Sequence, residues 1–489
     1  MISLEHKSHN FRIKIKSIDE FSAKIIGFKL KKQLFYQRTH LDHKFITLKA
    51  KYTLQLFDFS LKVNGFDINK AKAALAEIQS KNDIEFEAYL QNQRKAIISH
   101  HLEHNSFYKS LGASIDINDW NSVPIMTKSH LQQPLEQRLS DGFNTKNVYV
   151  NKTSGSSGDP FIFAKDKWCH ALTWAEIMNR FGWYGIDFNS SKQARFYGIP
   201  LDKKGYYKER IKDYFSNRFR FSVFDLSDDA FKNTLAKFKT TNFDYINGYT
   251  SSIVQFAKYL KRKNIILKSA CPSLKACIVT SEMLFNDDKL LLETQFGLPV
   301  VNEYGASELD LIAFQNIKDE WQLNSETLYI EILDENDTIL PYGEEGRIVI
   351  TSLYNKAHPF IRYDIGDIGI LSKNSTIKNP ILKKLIGRTN DIVVLPSGKK
   401  AAGLTFYYIT KSVIENDGNV SEFIVEQSLL DTFKISYVSK IELSEAEKTS
   451  IKKEVIRYLE PNITINFKRV NELKRSKSGK LKQFTSHLK

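Results

Sequence analysis

The sequence predicts a mixed α/β fold in which a large domain is followed by a smaller one. The chain has 489 residues, of which 42% are hydrophobic and 12% aromatic, so it can bury a substantial core. From about residue 146 onward, short β-rich runs alternate with helical stretches, the pattern of α/β architectures. A turn sequence at 387–390 precedes a last segment of about a hundred residues. We therefore expect domains at 1–386 and 387–489.

The first 100 residues are expected to be helical. In 68–78 and 87–98 apolar residues return every three or four positions, as on one face of an amphipathic helix. This part of the chain contains no motif that we can match to a function.

Strands and helices then alternate along the rest of the chain. Runs of β-branched and aromatic residues bounded by turn residues indicate strands. These runs lie at 148–150, 160–163, 298–301, 347–352 and 391–395, and a helix is expected at 287–296.

Charge and composition exclude several classes of protein. The 71 Lys and Arg against 56 Asp and Glu give a net charge of +15, but no zinc-finger spacing or aromatic RNA-binding motif accompanies it, so we expect no nucleic-acid partner. Three scattered cysteines are too few for a disulfide framework. No apolar run approaches the ~20 residues of a membrane-spanning helix, and the charged first residues lead us to expect no secretory signal. We expect a cytoplasmic protein; its oligomeric state is not determined by the sequence.

A loop rich in glycine and hydroxyl side chains is the most informative local segment. Residues 153–160 read Thr-Ser-Gly-Ser-Ser-Gly-Asp-Pro and lie between two expected strands. Glycine allows successive backbone N–H groups to point into one concavity that suits phosphate oxygens, and hydroxyls add donors. An ordinary flexible hairpin loop is the alternative. The segment is not a Walker A loop, because it lacks the Gly-Lys-Ser/Thr ending that leads into a helix.

Four more segments follow this loop in a fixed order. They are Asn-Glu-Tyr-Gly-Ala-Ser-Glu at 302–308, Arg-Tyr-Asp-Ile-Gly-Asp at 362–367, Gly-Arg-Thr-Asn-Asp at 387–391 and Arg-Ser-Lys-Ser-Gly-Lys at 475–480. Together the five segments resemble the signatures of the adenylate-forming superfamily, which includes acyl-CoA synthetases and peptide-synthetase adenylation domains. Residues 359–363 and the closing segment resemble the branch of phenylacetate–CoA ligases and CapK-like proteins of capsular polysaccharide gene clusters.

The resemblance implies both a fold and an activity. The fold would be a large multi-sheet adenylation domain and a small mobile α+β domain that carries the catalytic lysine, with Asn390 at the hinge. The activity would be the ATP- and Mg²⁺-dependent conversion of a small-molecule carboxylate into an acyl-adenylate, followed by transfer to a nucleophile, with CoA expected as the acceptor. One alternative is transfer without CoA to a sugar or glycan amine or to a protein. A catalytically silent nucleotide-binding or scaffold protein is another.

The resemblance also implies roles for individual residues. Lys480 would be catalytic, Glu308 would hold Mg²⁺, and Asp367 would accept hydrogen bonds from the ribose. The residues that would bind ATP or AMP are Thr153, Ser154, Gly155, Ser156, Ser157, Gly158, Ser281, Glu282, Asn302, Tyr304, Gly305, Ala306, Ser307, Asp367 and Arg388. Tyr249 and Tyr197 would help line the acyl pocket, and nothing in the sequence identifies the acid.

Overall fold

The structure of the protein is a computed structural model with two compact units, Met1–Gly65 and Phe66–Lys489. The residues that it describes are 2–7, 10–15, 55–112, 115–153, 161–198, 203–388, 392–398, 400–402, 419–475 and 481–488. No helix among these residues is both long and apolar enough to cross a bilayer.

The first unit begins with a β-hairpin. Strands β1 (Ile2–Lys7) and β2 (Asn10–Ile15) are antiparallel, and the register pairs Leu4 with Ile13. Helix α1 (Leu56–Val63) belongs to the same unit. The expectation of a wholly helical first 100 residues is therefore wrong for 2–15. Its sequence alternates apolar and polar residues, for example Phe-Arg-Ile-Lys-Ile at 11–15, and a period of two favours a strand.

The second unit contains the remaining helices and strands. The helices are α2 (Ile68–Ser80), α3 (Asp83–His104), α4 (Ser106–Leu111), α5 (Leu135–Arg138), α6 (Lys167–Gly182), α7 (Lys203–Phe215), α8 (Asp228–Lys239), α9 (Thr250–Arg262), α10 (Leu267–Ala270), α11 (Asn286–Phe296) and α12 (Glu445–Tyr458). The strands are β3 (Tyr149–Lys152), β4 (Ile162–Lys165), β5 (Gln193–Phe196), β6 (Arg218–Phe221), β7 (Tyr245–Tyr249), β8 (Ala276–Thr280), β9 (Val300–Ala306), β10 (Asp310–Gln315), β11 (Trp321–Leu323), β12 (Leu328–Leu333), β13 (Glu345–Ser352), β14 (Tyr363–Leu371), β15 (Leu382–Arg388), β16 (Ile392–Val394), β17 (Lys400–Ala402), β18 (Val420–Leu429), β19 (Thr432–Ser439), β20 (Thr464–Arg469) and β21 (Phe484–Ser486).

A seven-stranded sheet with the order β11-β10-β9-β8-β7-β5-β6 forms the centre of this unit. Strands β6, β5, β7, β8 and β9 are parallel, whereas β10 and β11 are antiparallel to their neighbours. Apolar residues of α8, α9 and α11 pack on one face of the sheet, and those of α6 pack on the other. The carboxyl ends of the parallel strands therefore meet at one edge, where ligands bind in open α/β sheets.

The described part of this unit also contains two four-stranded sheets and the two-stranded pairs β3–β4 and β16–β17. The antiparallel sheet β12-β13-β14-β15 shares a core with the end of β9, in which Tyr304, Ile350 and Tyr363 are buried together. The sheet β20-β19-β18-β21 packs with α12 around a separate core that also includes Phe285 and Val393. The mixed α/β fold with several sheets was thus correctly predicted, and the expected helix at 287–296 is α11. The domain boundary at 387 stays a prediction; residue 387 lies near the end of β15.

Candidate active site

A cavity of about 980 Å³ lies at the carboxyl edge of the central sheet. Several residues predicted to bind ATP, metal or substrate line it: Thr153, Ser281, Glu282, Asn302, Tyr304, Gly305, Ala306, Ser307, Glu308, Asp367 and Tyr197. Residues 154–158, Asn390 and Lys480 lie outside the described residues, as does the side chain of Arg388. The fold thus gathers, around one cavity, residues that are up to 214 positions apart in sequence (367 − 153).

Tyr304 and Asp367 join two of the motifs at the cavity wall. The Tyr304 hydroxyl donates a hydrogen bond of 2.6 Å to Oδ2 of Asp367, and both side chains are buried. The ring of Tyr304 also meets the ring of Trp321 edge-on, with centroids 5.9 Å apart. A carboxylate held in this way is fixed in position beside a flat aromatic surface.

Sheet register places the backbone of Arg388 beside Asp367. In the antiparallel pair β14–β15, the backbone of Asp367 lies opposite that of Arg388. The motifs at 362–367 and 387–391 are therefore neighbours across two strands, although about twenty residues separate them along the chain. Residue 387 lines the cavity as well.

Glu308 is held by a second tyrosine. The hydroxyl of Tyr363 donates to Oε1 of Glu308 at 3.1 Å, and both residues are buried. Burial, together with the neighbouring Glu308 charge, raises the pKa of Tyr363 above its ordinary value, so the phenol stays a donor. Among the described residues there is no group of three or more His, Cys, Asp or Glu side chains arranged to hold a metal.

The backbone at 305 approaches a neighbouring strand too closely for any side chain. A Cβ at Gly305 would lie 2.3 Å from the carbonyl oxygen of Asp310. The pairing of β9 with β10 is also irregular between Leu311 and Ala313. Glycine at this position lets the strand end bend beside the cavity, which gives a physical reason for the glycine of the Tyr-Gly motif.

Glu282 connects the cavity to the C-terminal part of the chain. Its Oε2 accepts a hydrogen bond from the backbone N–H of Ser251 at 2.7 Å, and its Oε1 accepts one from Leu481 at 3.1 Å. Burial raises the pKa of Glu282, while these hydrogen bonds and the nearby Arg475 oppose that rise. Sequence reasoning predicted a contact between Glu282 and the nucleotide and missed this bridge. The bridge brings residue 481, which directly follows Lys480 in the sequence, to the cavity wall.

Arg475 makes a second connection in the same region. Its guanidinium forms an ion pair with Glu422 of β18, and its Nη1 lies 3.5 Å from the hydroxyl of Ser251. Lys128, Lys474 and Lys482 also line the cavity. Sequence reasoning singled out only Lys480 from the basic C-terminal segment; charge density alone does not separate neighbouring lysines.

The two tyrosines predicted for the acyl pocket differ in position. Tyr197 lines the cavity. Tyr249 lies in the core of the central sheet and packs against the Tyr197 ring, with ring centroids 4.6 Å apart. Two further lining residues, Thr280 and Glu303, were not among the predicted site residues. The available signal was a carboxylate at 303 in a strand end that is otherwise rich in small and aromatic residues.

Comparison with known proteins finds distant relatives of two kinds. Protein CapK of Staphylococcus aureus is 24% identical over 422 residues, which cover 82% of this chain and 89% of CapK. A phenylacetate-coenzyme A ligase of Aromatoleum evansii is 30% identical over 128 residues, covering 25% of this chain and 29% of the ligase. The chain belongs to the adenylate-forming superfamily. Its homology to CapK and to phenylacetate-coenzyme A ligase is distant, and no family model matches it.

A solved structure of the same fold class confirms the architecture. The structure of 2-hydroxyisobutyryl-CoA ligase in a postadenylation state, in complex with an acyl-AMP, superposes with a TM-score of 0.65 at 15% identity. The superposition covers 83% of this chain and 91% of that ligase. In another state the ligase was crystallised with 2-HIB-AMP and CoA, with a TM-score of 0.51, 14% identity and coverage of 84% and 91%. At such identities the likeness establishes the fold of an adenylate-forming ligase.

Proposed function

We propose that this protein activates a carboxylic acid with ATP as an acyl-adenylate and then transfers the acyl group to a nucleophile, with CoA as the leading acceptor. The observation that carries this proposal is that one cavity is lined by Thr153, residues 302–308, Asp367 and residue 481. This cavity combines an aromatic platform, a buried carboxylate for a ribose and nearby lysines for phosphates.

In the first half-reaction, a carboxylate oxygen of the acid attacks the α-phosphorus of ATP. The bond from that phosphorus to the bridging oxygen breaks, and pyrophosphate leaves. The protein contributes by holding both reactants in line and by neutralising charge on the phosphates. Lys480 is the residue proposed to supply a positive charge at the reacting phosphate, and the Glu282–Leu481 hydrogen bond supports this placement because it fixes the next residue at the cavity.

Glu308 is the residue proposed to ligate Mg²⁺. Its carboxylate suits a hard cation, and its hydrogen bond from Tyr363 would orient it. When bound, the ion would supply positive charge to the phosphates of ATP. The hydrogen bond from Tyr363 keeps the Glu308 carboxylate at the cavity wall.

In the second half-reaction, the nucleophile attacks the acyl carbon. The bond from this carbon to the bridging oxygen breaks, and AMP leaves with that oxygen. With CoA the new bond is a thioester and the thiol loses its proton. The complexes of 2-hydroxyisobutyryl-CoA ligase with acyl-AMP and CoA support this order of steps. The similarity to CapK over most of both chains is the reason to test a sugar or glycan amine as the second candidate acceptor.

The test of the first half-reaction is ATP–pyrophosphate exchange over a panel of carboxylic and amino acids. We expect exchange with at least one acid and a loss of roughly 100-fold or more in Lys480→Ala. Lys468→Ala is the matched control, because Lys468 is an exposed lysine of β20 that does not line the cavity. Nucleotide binding without exchange for any acid would favour a silent nucleotide-binding protein.

The acceptor is tested in a separate assay. The acid that supports exchange is incubated with ATP and either CoA or an amino sugar, and the products are identified by mass spectrometry. A thioester formed faster than hydrolysis of the adenylate is the expected result. Amide formation on the sugar without a thioester would replace CoA by the glycan acceptor.

A further inference from the structure

Part of the cavity lining, which we call the second lobe, lies on the face of β9 opposite to Tyr304. Side chains alternate along a strand, so Glu303 points away from the face that holds Tyr304. Val301, two residues before Glu303, packs with Phe181 and Ile177 of α6, which places Glu303 on the α6 face of the sheet. The lobe with Glu303 is thus separated by the strand from the proposed ribose carboxylate.

We define the second lobe by three residues that give it a polar floor: Tyr197, Thr280 and Glu303. Thr280 and Glu303 are directly paired across β8 and β9, and hydrogen bonding from the Thr280 hydroxyl favours the ionised form of Glu303, which opposes the rise in its pKa. All three residues line the cavity, and Ile177 and Leu311 line it beside them. The lobe therefore has a hydrogen-bonding floor and apolar side walls.

Arg195 lies beneath this floor. Its guanidinium carbon is 3.9 Å from the centroid of the Tyr197 ring, and its Nε is buried and makes no hydrogen bond with any described residue. The positive charge of Arg195 favours the ionised form of Glu303, although burial raises the pKa of Glu303 overall. Glu303 forms no ion pair within the part of the chain that the structure describes.

A carboxylate in such a position has acceptor capacity that the protein leaves for a ligand. Glu303 is half-buried and lines the cavity, and one hydroxyl is its side-chain partner within the described residues, so acceptor positions of the carboxylate face the cavity. An acid with an aromatic or alkyl chain in this lobe would displace water from Glu303 without donating a hydrogen bond in its place. An acid with a donor on its acyl chain would replace the lost water.

We propose that Glu303 selects the substrate, and that the acid activated by this protein carries a hydrogen-bond donor, a hydroxyl or an ammonium group, on its acyl chain. This assignment rests on the proposed adenylation activity. It makes Glu303 a specificity-determining residue that contacts the substrate away from the reacting carboxylate.

The test compares acids that differ only in the donor: butyrate, 3-hydroxybutyrate and 3-aminobutyrate, and phenylacetate with 4-hydroxyphenylacetate. Exchange is measured for wild type, Glu303→Leu and Glu303→Gln, with Glu344→Gln as the control at an exposed glutamate. We expect kcat/KM for a donor-bearing acid to exceed that of its apolar partner by about tenfold or more in wild type. The preference should disappear in Glu303→Leu and persist in Glu344→Gln.

Glu303→Gln distinguishes the two donors, because an amide keeps an acceptor oxygen but loses the negative charge. Retained use of the hydroxy acid indicates a hydroxyl, and selective loss of the amino acid indicates an ammonium group. Equal or faster exchange with the apolar acids, or a preference that survives in Glu303→Leu, would overturn the assignment of Glu303 while leaving adenylation intact.

A binding measurement separates this result from failure of the proposed function. Thermal unfolding with ATP and each acid reads occupancy of the lobe without catalysis, and it also reports whether Glu303→Leu is folded. Stabilisation by donor-bearing acids that is lost in Glu303→Leu supports the assignment even without exchange. Stabilisation by the apolar acids alone contradicts it.

Discussion

Two polar regions beside α6 differ in how their charges are satisfied. At the junction of α6 with the chain before β12, Arg180 donates to both carboxylate oxygens of Glu326 at 2.7 and 2.6 Å and to Asn324 at 2.9 Å. In the lobe beside Ile177, Glu303 has a hydroxyl partner and no ion pair with a described residue. The first region is completed by the protein itself. The second region also contains a carboxylate, but this carboxylate lines the cavity. We therefore propose that a ligand supplies its hydrogen-bond donor.

Breaking the completed region should have the largest effect. Arg180→Ala removes the partner of a buried carboxylate and should lower the free energy of unfolding by about 3–5 kcal/mol. Denaturant unfolding measures the change. Arg262→Ala, which breaks a pair with Asp228 that is exposed on both sides, should cost less than ~1 kcal/mol. Equal effects of the two substitutions would refute the contrast between buried and exposed pairs.

Removing the carboxylate of Asp367 should affect nucleotide binding more than folding. We expect Asp367→Ala to raise the Kd for ATP by roughly 100-fold, equivalent to about 2–3 kcal/mol for lost hydrogen bonds to a charged group. Isothermal titration calorimetry measures the affinity. Asp367→Asn keeps an acceptor for the Tyr304 hydroxyl and should lose less. An unchanged ATP affinity in Asp367→Ala would place the ribose elsewhere.

The close backbone approach at 305 gives a smaller expected effect. Gly305→Ala must shift the end of β9 against the carbonyl of Asp310, and overpacking of this kind costs about 1–3 kcal/mol. Gly182→Ala at the end of α6 is the control, since a Cβ there would meet nothing within 4 Å. Thermal unfolding and exchange activity are compared for both. Two variants with the same stability would show that β9 adjusts without strain.

A cluster of buried histidines should make stability depend on pH. Burial lowers the pKa of His101 to about 3, and burial with the nearby Arg138 lowers the pKa of His358. Because the unfolded chain binds these protons more tightly, the contribution to stability is complete above about pH 6.5 and is lost as pH falls toward 3. Each buried histidine should cost about 1.4 kcal/mol per pH unit in that range.

Urea unfolding at a series of pH values measures this dependence. The His101 ring donates through Nε2 to the carbonyl of Asn355 and faces Ser140 through Nδ1, so it is held neutral. His101→Gln should give a shallower decline between pH 6.5 and 4 than wild type. A wild-type stability that stays constant over this range would contradict the assignment.

The sequence predicted the elements better than their contacts. The helix at 287–296 and the strand at 347–352 were found because their signals are local; the strand is a run of β-branched residues. The hairpin at 2–15 was missed although its alternation was visible in the sequence. Tyr249 was grouped with Tyr197 because both are aromatic, but only Tyr197 lines the cavity.

The candidate site was predictable where a motif carries it. Tyr304, Glu308 and Asp367, which were selected from the order of short motifs, all line the cavity, and their roles toward a nucleotide stay predictions. Glu303 lies inside one of these motifs and was still missed. The role proposed for it depends on which face of β9 it occupies and on Thr280 across the strand, and neither follows from the segment alone.

The sequence by itself determined the fold class, the order of the motifs and the superfamily. These properties depend on local periodicity and on residue types that are close along the chain. Only the tertiary structure decided that Tyr304 bonds Asp367 across 63 positions and that Glu282 holds Leu481 across 199. It also decided that Glu303 faces the α6 side of the cavity. Such contacts depend on strand order and register, which bring distant residues together and are set by packing of the whole unit.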